Sequence, residues 1–133
     1  MGCFCCSGIA FEKCCQPYLL GTSKAPTAET LMRSRYSAYA SNAIEYIIRT
    51  THPSTRLQYD PISIENWAKT STWQKLEVVS KQSGEMQDTK GKVEFKAYFL
   101  DSQKIPHIHH EHSSFKKEKD EWFFVDGRVE VSN

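Results

Sequence analysis

Residues 93–99 read VEFKAYF, and every second side chain from Val93 to Phe99 is apolar. Alternation with a period of two is typical of a β-strand that buries one face. The same period occurs around Leu76 and again over 111–115, and residues 121–125 are almost all aromatic or β-branched. We therefore expect four strands in the second half of the chain.

The breaks between these stretches are short. They fall at Ser83-Gly84, near Lys90-Gly91, over 101–106 and at Lys119-Asp120. Because parallel neighbours need a long crossover, short breaks favour an antiparallel sheet.

The first half of the chain has helical spacing instead. Thr27 is a candidate N-cap for a helix over 27–40, in which apolar side chains recur every three to four residues. Asn42 and Glu45 have the spacing of a capping box, which predicts a second helix over 42–50.

A third, shorter helix is expected over 62–69, after Pro61. Helices grouped before strands indicate an α+β fold, with the helices packed on one face of a curved antiparallel sheet.

Composition narrows the possible partners. The 133 residues suit a single domain of ordinary size, and the formal net charge of +1 lacks the broad positive field of a DNA-binding protein. No apolar run approaches the roughly 18 residues that span a bilayer, and the first residues lack the features of a secretion signal. We expect a cytoplasmic protein with no DNA and no membrane contact.

All five cysteines lie before residue 16, in the pattern C-x-C-x8-C-C formed by Cys3, Cys5, Cys14 and Cys15. Two short clusters, each presenting two thiolates on a tight turn, can surround one tetrahedral zinc ion. Disulfides and a redox-active pair are the competing interpretations, and Cys6 could replace Cys5. A closed four-thiolate site has no open position for water, so we expect one structural Zn²⁺ rather than a catalytic one.

The cysteine segment resembles a known motif, and several further stretches resemble a known family. The segment CFCCSGIAFEKCC (3–15) resembles the SEC-C motif, the zinc-binding segment also found at the C-terminus of the translocation motor SecA, in which glycine stands at the position of Cys6. The stretches APTAETLMRSRYSAYA, THPSTR, HHEHSSF and WFFVDG, in this order, resemble the bacterial YchJ family along nearly the whole chain.

The family resemblance implies a SEC-C segment at 1–16 and a nuclear-transport-factor-2-like, or cystatin-like, domain at 17–133. In that fold a bent sheet and helices form a cone around a pocket. The resemblance implies no established activity. In SecA the related segment engages a secretion chaperone, which makes a secretion chaperone or a ribosomal partner the expectation here.

Several residues are candidates for the pocket. Arg35 lies on the apolar stripe of the first helix, and a buried guanidinium needs a partner. We expect Glu111, two residues before Ser113 on one strand face, to contact it. The expected walls are the aromatic and imidazole side chains Tyr36, His52, Trp67 and Trp73.

Four histidines crowd one strand, at positions 107, 109, 110 and 112. His110 and His112 share a face and could share a metal, but no third ligand is evident, and exposed strand histidines are the simpler interpretation. No nucleophile elbow and no phosphate-binding glycine loop can be recognised, so no catalytic residue is assigned.

The sequence thus favours a zinc-binding adaptor, whose SEC-C segment presents Phe4 and either Ile9 or Phe11 to a protein or ribosomal partner. The alternative is a small-molecule-binding protein or enzyme that uses the cavity of the cone.

Overall fold

The computed structural model describes residues 2–130. It contains one four-stranded sheet in chain order, formed by β1 (Thr72–Ser83), β2 (Lys90–Leu100), β3 (Pro106–Glu118) and β4 (Glu121–Val129). Each strand pairs antiparallel with the next. The predicted antiparallel sheet is confirmed, and its strands extend beyond the alternating stretches.

Four helices precede the sheet: α1 (Gln16–Leu19), α2 (Ala28–Ser41), α3 (Ile44–Arg49) and α4 (Pro61–Thr70). Thr27 caps α2 as predicted, because its Oγ1 accepts a 3.1 Å hydrogen bond from the backbone N–H of Thr30. Within the described range, no helix has both the length and the apolar character needed to cross a membrane.

The capping box predicted at Asn42 is wrong. Asn42 ends α2 in the left-handed conformation, with φ 64°, and its N–H bonds to the carbonyls of Ala38 and Tyr39. α3 then begins at Ile44 without a side-chain cap. Asparagine tolerates left-handed geometry, so a residue suited to begin a helix can equally well end one.

The core lies between α2 and the inner face of the sheet. α2 buries Leu31, Met32 and Tyr36, while the strands contribute Val93, Phe95, Ala97, Phe115, Trp122 and Phe124. Trp122 satisfies its only polar atom by donating a 3.1 Å hydrogen bond from the indole N–H to the carbonyl of Pro26. The sheet is thereby tied to the segment that enters α2.

The hairpin between β1 and β2 closes against the start of α2. Gly84, with φ 79°, accepts a 2.9 Å hydrogen bond from the N–H of Ala28. A Cβ at Gly91 would collide with the backbone of Gly84 and the methyl group of Ala28. The two glycines thus permit a close approach that a side chain would prevent.

Irregular pairing bends the sheet. The register shifts twice between β1 and β2, at Trp73/Lys75 and Val78/Ser80, and once between β3 and β4, at Ser114/Phe115. Bulges of this kind kink a strand and increase its twist. The bent sheet and the helices leave a cavity between them.

Candidate metal centre and ligand cavity

Two turns bring the paired cysteines together. The first is held by hydrogen bonds from Cys3 N to Ile9 O (2.7 Å) and from Cys6 N to Cys3 O (3.1 Å). The second is the 3-10 turn Phe11–Lys13, which ends at Cys14. As a result, one sulfur from each of Cys3, Cys5, Cys14 and Cys15 lies within 4.8 Å of the others.

The sulfur spacing fits a tetrahedral metal centre. Cys5 Sγ lies 3.7 Å from Cys14 Sγ, which lies 3.9 Å from Cys15 Sγ. Zinc–sulfur bonds of about 2.3 Å place neighbouring tetrahedral ligands about 3.8 Å apart. All the cysteines are free thiols, so the disulfide alternative is not adopted. Four sulfur donors at this spacing fit Zn²⁺ and leave it no vacant position.

The close sulfurs affect one another's titration. The pKa of Cys5 is lowered, chiefly by the neighbouring Cys15 thiol, while burial opposes the shift. The pKa of Cys15 is raised by the proximity of Cys5 and by burial. Because zinc binds thiolates, metal binding at this centre would release protons.

The cysteine segment shares the core of the body. Cys3 Sγ lies 3.4 Å from Ser37 Oγ on α2, and Arg33 of the same helix donates a 2.8 Å hydrogen bond to the carbonyl of Cys5. Cys3, Cys5 and Cys15 are buried in the same apolar cluster as Leu31 and Tyr36. A metal bound here would therefore brace α2 as well as its own segment.

Cys6 lies outside the four-sulfur group. It is exposed, its Sγ lies 3.5 Å from the backbone N of Leu76, and its φ of 65° is left-handed. That conformation explains why glycine is usual at this position of the SEC-C motif.

The second candidate site is a cavity of about 280 Å³ between the helices and the sheet. Six of the seven predicted pocket residues line it: Arg35, Tyr36, Trp67, Trp73, Glu111 and Ser113. Most of the remaining lining is apolar or aromatic. Cavities with mainly apolar walls and a few convergent polar groups are the usual form of small-molecule sites.

Arg35 is the deepest charged group of the cavity and is only 8% exposed. Its Nη1 donates to the carbonyl of Ile47 (2.9 Å) and to Thr50 Oγ1 (2.8 Å). Its guanidinium carbon lies 4.4 Å from the centroid of the Phe124 ring. These contacts fix a cation in the cavity wall.

The predicted direct contact between Arg35 and Glu111 is wrong. Within the described residues, the two side chains form no ion pair. Arg35 instead donates to acceptors in α3 and directly after it. Glu111 accepts hydrogen bonds from His109 Nε2 (2.7 Å) and from the Ser113 hydroxyl. Burial would raise the pKa of Glu111, but these two bonds and the charges of His109 and Arg35 lower it below its usual value.

Aromatic rings form one wall of the cavity. Trp67 contacts Trp73 edge to face, with 5.2 Å between ring centroids, and Tyr39 at the same distance. The ring of His109 lies 5.0 Å from that of Trp67. The exposed position expected for His109 is therefore wrong, and its two-residue spacing from Glu111 was the signal that places it on the inner face.

His52 does not line the cavity. Its Nε2 lies 2.9 Å from Glu118 Oε2, and its Nδ1 pairs with the Ser54 hydroxyl at 2.8 Å. The preceding residue, Thr51, lines the cavity instead. Consecutive side chains of an extended segment point to opposite sides, which accounts for the error.

Comparisons with known proteins agree with this architecture. Residues 27–127 match the family model described as the YchJ middle, nuclear-transport-factor-2-like domain. The chain is similar to a SEC-C motif containing protein from Rhodopseudomonas palustris, whose solution structure superposes with a TM-score of 0.89 at 36% identity, covering 98% of this chain and all of that one. A crystal structure of a SEC-C motif containing protein from Psychrobacter arcticus gives a TM-score of 0.78 at 39% identity, covering 96% of this chain and 76% of that one.

The fold and the cysteine cluster therefore define a nuclear-transport-factor-2-like protein with a SEC-C segment. A UPF0225 protein of Geobacter sulfurreducens is 43% identical over 94% of this chain and 77% of its own length. The chain belongs to the YchJ family, as its sequence motifs indicated.

Proposed function

We propose that this protein binds a small, largely aromatic molecule with a hydrogen-bond acceptor in the cavity of its cone, and that Zn²⁺ at the four cysteines has a structural role. The observation that carries this proposal is the buried guanidinium of Arg35 in a cavity whose walls are mainly apolar and aromatic. Burying a cation costs desolvation energy that an apolar side chain would not, which favours a role for this charge beyond stability.

The guanidinium of Arg35 has hydrogen-bond donors that the protein does not use. Its hydrogen bonds to protein all leave from Nη1 and reach Ile47, Thr50 and Thr51. Among the described residues, its Nε and Nη2 have no hydrogen-bond partner. Because a guanidinium carries five N–H donors, its remaining edge can meet an acceptor oxygen on a ligand.

Glu111 favours a neutral ligand. Its carboxylate balances the charge of Arg35 within the same cavity, and both of its oxygens already accept hydrogen bonds. An anionic ligand would be repelled by this carboxylate, and a cationic one by Arg35. A neutral carbonyl or hydroxyl group on an aromatic ring avoids both repulsions and can still accept a hydrogen bond from Arg35.

The proposal can be tested with two probes of nearly the same shape, acetophenone and ethylbenzene, because only the first has an acceptor oxygen. Calorimetry on the zinc-loaded protein should show acetophenone binding about tenfold more tightly, as expected for a hydrogen bond from a charged donor. Arg35→Met should abolish the preference. Arg49→Met, which removes a cation outside the cavity lining, should retain it.

Equal affinity for the two probes in the unmodified protein would contradict this role for Arg35. Because that comparison needs no substitution, it remains decisive even where Arg35→Met fails to fold.

A second candidate function is the adaptor favoured by the sequence. Its support is the exposure of Phe4 and Ile9, at 45% and 51%, on the cysteine segment. Both lie within the loop that carries the first cysteine pair, so a bound metal would hold them in fixed positions for a protein or ribosomal partner. Phe11, in contrast, is partly buried and packs on the core.

The adaptor is tested by Phe4→Ser combined with Ile9→Ser, which leaves every cysteine in place. Pull-downs with purified ribosomes and with a secretion chaperone should lose the interaction in this variant. They should keep it in Leu57→Ser, which removes a side chain that is 98% exposed elsewhere. Equal retention in both variants would exclude this surface.

A further inference from the structure

The outer face of the sheet, opposite the cavity, carries a second group of possible metal ligands. His110 and His112 project from β3 on this face, and Glu94 of β2 pairs in register with His112. One ligand atom from each of the three lies within 4.8 Å of the others. Glu94 is the third member of this group, which the sequence alone did not reveal.

We propose that Glu94, His110 and His112 bind a divalent transition-metal ion of the zinc type at a site separate from the cysteine centre. This inference does not depend on the proposed function of the cavity. It rests on the convergence of two imidazole nitrogens on one carboxylate oxygen.

The convergence is geometrically close to a coordination shell. Glu94 Oε2 lies 2.7 Å from His110 Nε2 and 3.8 Å from His112 Nε2. Ligands about 2.0–2.1 Å from a tetrahedral ion lie about 3.4 Å apart, a spacing between these two distances. The imidazole rings are stacked, with centroids 5.5 Å apart. Small side-chain movements would admit the ion.

Glu94 is held in the required orientation by a neighbouring strand. Its other oxygen, Oε1, accepts a 2.9 Å hydrogen bond from the Ser80 hydroxyl of β1. Such a contact orients a ligating carboxylate and commonly affects metal affinity. The three ligand side chains are 23–32% exposed, so water can reach the ion while the sheet fixes its protein ligands.

Glu130 lies beside these three side chains but outside their group, and would become a fourth ligand after a side-chain rotation. Its Oε1 lies 2.7 Å from His112 Nε2 and 3.5 Å from Arg128 Nη1. The side chain of Arg128 is 72% exposed and can move into solvent when a cation arrives. Two carboxylates and two neutral imidazoles would neutralise a divalent ion, and mixed nitrogen and oxygen donors select zinc-type ions over Mg²⁺.

The test is a calorimetric titration with Zn²⁺ near neutral pH, on full-length protein already loaded with one equivalent at the cysteines. We expect one further equivalent to bind, and excess Mg²⁺ not to compete. His110→Gln combined with His112→Gln, or Glu94→Gln alone, should weaken this second event by on the order of tenfold or more. His107→Gln should leave it unchanged, because His107 pairs with Asp101 instead.

The exposed Cys6 is the main competing ligand, so the titration is repeated in Cys6→Gly. Loss of the second event in Cys6→Gly would overturn the proposal, as would its persistence in the double histidine variant. Co²⁺ gives an independent readout, because the second equivalent should add absorption without sulfur-to-metal charge transfer. Failure here would leave the acetophenone preference untouched, so the two proposals fail separately.

Discussion

The guanidinium carbon of Arg35 lies 4.4 Å from the centroid of the Phe124 ring, which couples the first long helix to the last strand through a cation on an aromatic face. The carbonyl of Ile47 in the short helix α3 accepts a hydrogen bond from the same side chain. Three elements thus meet at one buried charge. The cavity wall is therefore preorganised before any ligand enters.

The first prediction concerns Glu111, whose pKa is lowered in the folded protein. Its ionised form stabilises the fold above the ordinary value of 4.5, and this contribution is lost as the pH falls through the lower folded pKa. Glu111→Gln should cost about 2 kcal/mol of unfolding free energy at about pH 7, and much less at about pH 3. Urea unfolding of both proteins at both pH values measures this difference.

Glu65→Gln is the control for that experiment, since Glu65 pairs with Lys69 on an exposed helix face. Its cost should stay within about 0.5 kcal/mol. A Glu111→Gln penalty of the same size at both pH values would contradict the stabilising role of the ionised carboxylate.

The second prediction concerns metal removal. Because Cys3, Cys5 and Cys15 belong to the main core, chelation should lower the melting temperature of the whole protein by on the order of 10 °C. Circular dichroism of the sheet measures the effect. Cys14→Ser should lower the melting temperature without a chelator, whereas Cys6→Ser should keep the zinc at the four cysteines and have the melting temperature of the parent protein. If the chelator leaves the melting temperature of the sheet unchanged, the metal does not stabilise the main body of the protein.

The third prediction concerns the backbone of the first cysteine turn. Cys6 and Gly8 both have positive φ, at 65° and 85°. Cys6→Gly should stabilise the metal-loaded protein by about 1 kcal/mol, because it relieves left-handed strain. Gly8→Ala should destabilise it by a similar amount, although a Cβ there meets no atom within 4 Å. Chemical unfolding measures the free energy of unfolding of both variants. Changes of the same sign in the two variants would contradict the strain argument.

The sequence predicted the helices and the sheet because apolar side chains recur at helical spacing in the first half of the chain and at every second position in the second half. Alternation around Phe95 fixed the inner face of β2, and helical spacing placed Arg35 toward the core. The cluster of Cys3, Cys5, Cys14 and Cys15 was predictable because the C-x-C and C-C pairs are compact. These signals are local, so they needed no knowledge of the tertiary structure.

Errors arose where a distant element decided the outcome. The partner of Arg35 is a helix carbonyl rather than Glu111, and no sequence pattern reports which carbonyls a helix end leaves free. Tyr59 lines the cavity from an irregular segment after the 3-10 turn Arg56–Gln58, where no periodicity exists. Glu94 escaped notice as a ligand partner of His112 because its role depends on the register between β2 and β3.

The most direct measurement of cavity binding is the chemical shift of the indole N–H groups during an NMR titration with acetophenone. Trp67 and Trp73 line the cavity, whereas the indole of Trp122 bonds to Pro26 outside the cavity lining. We predict saturable shifts at Trp67 and Trp73, with Trp122 nearly unchanged. Shifts confined to Trp122, or no saturable shift at any indole, would contradict ligand binding in the cavity.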